Sequence, residues 1–145
     1  MKLFAAWQFW AIGSAIFAAL TAILGKIGVE NINSNFATLI RTVVILGVVI
    51  AIVAGTGAYQ ALETISRKTY LFLALSGLAT GASWLCYYRA LKLGPTSGVA
   101  PIDKLSVVFV AILGALILGE RLAILGWIGI GMIAVGATLV AISSG

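Results

Sequence analysis

Phe36-Ala37-Thr38-Leu39-Ile40-Arg41-Thr42-Val43-Val44-Ile45-Leu46-Gly47-Val48-Val49-Ile50-Ala51-Ile52-Val53-Ala54-Gly55-Thr56 is an apolar run with a single charge, Arg41. A helix needs about 20 such residues to cross roughly 30 Å of hydrocarbon. Four further runs of that kind flank it: about Phe4 to Ile27, Tyr70 to Leu91, Val99 to Leu118 and Ile124 to Ile142. The polar breaks between them are short: Glu30 to Asn35, Gly57 to Thr69, Lys92 to Gly98, and Gly119-Glu120-Arg121. Five barrel strands could not close, and lipid satisfies no open sheet edge, so the runs read as helices. The expectation is an all-α integral membrane protein of five transmembrane helices, a single domain over residues 1–145, multi-pass in the cell membrane.

Composition agrees. Of the 145 residues, 62% are hydrophobic and 9% charged, where a soluble domain carries about 25% charged residues. Mean hydropathy is +1.18. With no His, one Cys and four carboxylates, little is left for metal ligation, a disulfide frame or a nucleophile–base pair. Neither an enzyme nor a cofactor or metal is expected. Net charge is +5, but the basic residues are spread along a membrane chain, which points to topology and headgroups rather than nucleic acid. Lys2 followed by an apolar run resembles a signal peptide, but about 24 residues exceed a signal core of 7–15. It reads as a retained first span.

Five spans put the termini on opposite sides. Lys2, Arg67, Lys68 and Arg121 then fall on one side; Lys26, Arg41, Arg89 and Lys92 fall on the other, four against four, with Lys104 a fifth if it counts. Positive-inside bias is therefore balanced. A balance of this kind is what a dual-topology chain requires, one that pairs with an inverted copy of itself around a midplane site. A single orientation with weak bias is the competing reading.

The runs Trp84-Leu85-Cys86-Tyr87-Tyr88-Arg89-Ala90-Leu91-Lys92-Leu93-Gly94, Val99-Ala100-Pro101-Ile102-Asp103-Lys104-Leu105-Ser106 and Leu118-Gly119-Glu120-Arg121-Leu122, with Trp127-Ile128-Gly129 through Gly136, resemble the EamA-type domain of the drug/metabolite transporter superfamily. The resemblance covers essentially the whole chain. It implies a transporter fold in which common members carry two such domains in inverted orientation. This sequence carries one, and resembles the half-length, five-helix form that must dimerise. The small multidrug resistance group of that superfamily depends on a Glu in its first helix. The first span here has no acid, which argues against drug–proton antiport of that type.

The polar residues divide into four sets. Asp103 is the one acid inside a span, about 6–10 Å into the fourth helix. An intramembrane carboxylate is a candidate for proton or ion coupling, with Lys104 beside it. Alternatively it favours the positive end of a helix and pairs with Arg41 or Lys104. Lys26, Arg41, Arg89, Lys92 and Lys104 share one mouth with only Glu30 and Asp103 opposing them. A funnel of one sign concentrates the opposite ion, so Arg41 and Arg89 are candidates for an anionic group on the substrate; headgroup anchors snorkelling to the surface are the alternative. Trp10, Ser14 and Thr21 on the first span, and Thr80, Trp84 and Tyr87 on the third, recur at helical spacing and are candidates for lining a solute pocket. Interhelical hydrogen bonds and an interfacial aromatic belt would account for them equally. Gly129 and Gly136 on the glycine-dense fifth span are candidates for dimer contact, through close backbone approach. Cys86 reads as a small apolar residue.

Together these point to a secondary transporter of small organic metabolites with an anionic group, working by alternating access as an antiparallel homodimer in the lipid bilayer. A flippase for a lipid-linked phosphate, and an accessory membrane subunit without transport of its own, are the alternatives.

Overall fold

The computed structural model describes residues 6–144. Lys2 and Phe4, counted above as the N-terminal charge and the start of the first span, lie outside the described residues. Helices α1 (Ala6–Val29), α2 (Ser34–Thr56), α3 (Arg67–Leu93), α4 (Thr96–Asp103), α5 (Ser106–Leu113) and α6 (Ile124–Ser143) follow in order, and the described residues include no strand. α4 and α5 with a terminal π turn, Gly114–Leu118, make one span, so five segments are long and apolar enough to cross a membrane. The protein is an all-helical, multi-pass membrane protein.

The ends of the spans follow their capping residues. α2 begins at Ser34, two residues before its apolar run, because the Asn33 carboxamide accepts the Asn35 N–H at 2.9 Å and satisfies an orphan donor of the first turn. It ends at Gly57, whose φ of +65° is cheap only without a Cβ. The Ser66 hydroxyl likewise accepts the Thr69 N–H at 3.1 Å and lets α3 start at Arg67, inside the polar break.

The fourth span departs most from its sequence pattern. α4 starts at Thr96 rather than Val99, directly after Pro95. Pro101 is therefore its sixth residue and not a first-turn residue, where the missing N–H would cost nothing. Within a helix it leaves the carbonyl one turn back without a donor and crowds it. The helix gives way two residues later: the Leu105, Val107 and Val108 N–H groups donate to the carbonyls of Ile102, Lys104 and Leu105 at 3.0, 3.1 and 2.9 Å, a tightened i to i+3 turn. The span ends where Gly119, at φ +69°, turns the chain back and the Glu120 N–H reaches the Gly114 carbonyl at 3.1 Å.

Two compact units are formed, one from Ile27 to Lys92 and one from the segments up to Lys26 and from Leu93 onward. In the first, the buried residues Val29, Ser34, Ala37, Thr38, Tyr88 and Leu91 come from the last turn of α1, the first turns of α2 and the last turns of α3. The Lys92 ammonium donates to the Ile32 carbonyl in the α1–α2 loop. Farther along the same helices, Leu46, Ile50, Leu73 and Leu78 are exposed, as lipid-facing or partner-facing side chains must be. In the second unit α4 and α5 pack on α6. The approach at Gly98 is close: a Cβ there would meet Ser144 Cβ at 3.4 Å. Lys26 donates to the Gly94 carbonyl at 2.9 Å, tying α1 to the turn before α4.

Candidate functional site

Arg41 lies seven residues into α2, about 10 Å along the helix from Ser34, in a segment whose other residues carry no charge. Its guanidinium carbon sits 4.1 Å from the centroid of the Trp84 ring and 5.4 Å from that of Tyr88. A guanidinium over an aromatic face is attracted by the ring quadrupole, more strongly as water is withdrawn. Trp84 and Tyr88 are four apart on α3, so both rings project from one face of that helix. Tyr88 is buried and Arg41 half-buried.

What Arg41 lacks is a carboxylate. The ion pair found among the described residues joins Asp103 to Lys104 in the other unit, and no described acceptor takes an Arg41 N–H. The Trp84 N–H and the Tyr88 hydroxyl are likewise without an acceptor. No buried side-chain nitrogen or oxygen among the described residues is unsatisfied, so these two groups are reachable from outside the protein. The neighbouring hydroxyls behave differently. Thr38 donates to the Ser34 carbonyl at 2.9 Å, Thr42 to the Thr38 carbonyl at 2.8 Å, and Thr80 to the Ser76 carbonyl at 2.9 Å. Each has spent its proton on its own helix and offers only lone pairs.

Of the residues proposed from sequence, the structure brings Arg41 and Trp84 together. Thr80 is one turn from Trp84 on α3, and the Tyr87 ring meets Tyr88 edge-on at 6.4 Å. Arg89 is exposed and stands about 140° around the helix from Trp84, away from the ring that holds Arg41. Trp10, Ser14 and Thr21 belong to the other unit; Trp10 and Ser14 are exposed and Thr21 is half-buried. Lys104 Nζ lies 3.1 Å from Asp103 Oδ2, both partly exposed, at the break between α4 and α5. Gly129 and Gly136 face open space on α6: a Cβ at either would meet nothing within 4 Å. Tyr88 is the residue that sequence reasoning passed over. Its signal was present in the spacing of four from Trp84, which is one helical turn.

Chemically the cluster holds one positive charge by its face and leaves its donor edges unused. Such an arrangement suits an anion, and no group of three or more metal-ligating side chains occurs among the described residues.

Comparison with known proteins gives the family and leaves the substrate open. The profile of the EamA-like transporter family matches residues 5–142. A protein of Sinorhizobium sp described as an uncharacterized transporter in the cobO 3' region is 64% identical over 136 residues, spanning 94% of this chain and 96% of that one. No solved structure matches.

Proposed function

The chain belongs to the EamA-like transporter family, and from that premise we propose that it carries small organic metabolites bearing an anionic group, by alternating access within an antiparallel homodimer. Membrane transport comes with the family; the substrate class and the assembly are this reading. The observation that carries it is Arg41, an ionised side chain in an apolar span with aromatic faces and no carboxylate partner. Placing such a charge in a helix crossing hydrocarbon costs about 2.5–3.5 kcal/mol on insertion scales, a cost that a passing anion would offset during transport. Asp103 and Lys104, at the interrupted fourth span, are the proposed coupling pair. Broken helices are where transporters place ions and substrates, since unwound backbone is tolerated only against a cavity or protein.

The homodimer rests on three supports. The charge bias between the two sides is balanced, the spans are odd in number, and exposed apolar side chains cover α6 on the faces that carry Gly129 and Gly136. Topology is tested by replacing Cys86 with Ala and placing a single Cys at either terminus. A membrane-impermeant reagent is then applied to intact cells. Labelling of each terminus in about half the molecules is expected; labelling of one terminus alone would reject the inverted homodimer. For assembly, Gly129→Leu with Gly136→Leu is expected to leave monomers in detergent, and a dimer that persists in the double variant would move the contact elsewhere.

A further inference from the structure

We infer that the donor edge of Arg41, with Trp84 and Tyr88 behind it, is a carboxylate-binding site selective for monoanions over phosphate. The inference rests on the anion-transport reading above and specifies its chemistry. Three observations lead to it. First, the Trp84 ring at 4.1 Å and the Tyr88 ring at 5.4 Å occupy space around the guanidinium face, so a ligand approaches through the N–H edge. That edge presents two parallel donors at the spacing of two carboxylate oxygens. Second, Arg41 is the one charge on α2; Arg89 stands about 140° around α3 from Trp84, and Lys92, one turn beyond Tyr88, is engaged by the Ile32 carbonyl, which leaves the guanidinium as the single charge of the cluster. A carboxylate cancels the single charge one for one, whereas a phosphate dianion would carry an unbalanced charge about 10 Å into the span. Third, the hydroxyls of Thr38, Thr42 and Thr80 already donate to backbone carbonyls. The donors that remain in the cluster are the guanidinium N–H groups, the Trp84 indole N–H and the Tyr88 phenol, of which only the guanidinium is charged.

The aromatic support has a second consequence. A guanidinium fixed by two rings is oriented before the ligand arrives, so less side-chain freedom is lost on binding. Lysine, a point charge without the fork, would not reproduce this.

The test uses the full chain in phosphatidylcholine nanodiscs, with benzoate, inorganic phosphate and benzylamine as probes and saturable thermal stabilisation as the readout. Benzoate is expected to stabilise the protein saturably, phosphate at least tenfold less tightly, and benzylamine not at all. Arg41→Gln is expected to abolish the benzoate response and Arg41→Lys to weaken it about tenfold, while Lys68→Gln, which removes a charge at the opposite end of α3, leaves it intact. Circular dichroism identifies variants that have kept their helices; if Arg41→Gln has not, the Arg41→Lys result decides. Phosphate binding as tightly as benzoate overturns the selectivity, and a benzoate response that survives in folded Arg41→Gln, or unchanged in Arg41→Lys, overturns the site. Uptake of labelled benzoate into liposomes separates the two readings: binding without uptake keeps the site and rejects transport of this class. Uptake that persists in Arg41→Gln keeps transport and rejects the site.

Discussion

The second and fourth spans each carry charge into the membrane, and they accommodate it in opposite ways. α2 is unbroken, and its Arg41 is held by aromatic rings from α3. The fourth span breaks beside its charges: Asp103 ends α4, Lys104 follows, and the two pair with each other. The difference is chemical. A guanidinium is attracted to the face of a ring, where it remains a charge with unused donors. A carboxylate is repelled by that face and must find a cation or a wetter position, and here it finds the adjacent lysine at a helix end. One span therefore retains a reactive charge and a rigid backbone, and the other a largely neutralised pair on a backbone that can bend.

Substitutions can break that comparison, and the largest effect is expected on the rigid side. Arg41→Glu replaces the donor edge with a like charge for the substrate, and anion uptake into liposomes is expected to disappear; uptake above one-tenth of the parent rate would remove Arg41 from the pathway. Trp84→Leu comes next. A desolvated cation–π contact is worth up to about 2 kcal/mol, roughly 30-fold in affinity, so the concentration giving half-maximal uptake is expected to rise by up to that factor. Trp84→Phe is expected to lose less.

On the bending side, Pro101→Ala restores the lost N–H and is expected to extend α4 beyond Asp103, across the break at Lys104 and Leu105. The variant should gain thermal stability while slowing transport several-fold, and a variant altered in neither would show that the break is not set by proline. Smallest is Asp103→Asn. A partly exposed ion pair contributes about 0–1 kcal/mol, so the melting temperature should hardly move. If the pair couples transport to an ion, the response to an imposed proton or sodium gradient should disappear in this variant. A gradient response that is retained would leave Asp103 only as the lysine's partner.

The glycines sharpen the comparison further. A side chain at Gly114 is expected to cost little although a Cβ there would lie 2.9 Å from a Glu120 carboxylate oxygen, because that oxygen ends a flexible chain and can swing away. Gly119, at φ +69°, has open space around it, yet any side chain is strained by the backbone at about 1–2 kcal/mol. Space and conformation are separate constraints.

The sequence by itself determined that this chain lives in a membrane, that it crosses five times, and that it resembles one family throughout. Those conclusions rest on local quantities: the length of apolar runs, the position of polar breaks, and short motifs. It also singled out Arg41, Trp84, Asp103 and Lys104 as residues of interest, because charges and large aromatics are conspicuous against an apolar background. Only tertiary structure decided that Arg41 meets Trp84 and Tyr88, and that α4 begins early enough to place Pro101 in its interior. The physical reason is that spans apolar on every side carry no periodic signal of which face turns inward. Rotation about the helix axis is then set by packing against the neighbouring helix. For α2 and α3 that rotation brings a guanidinium to two rings, a pairing across more than 40 residues that no local pattern encodes.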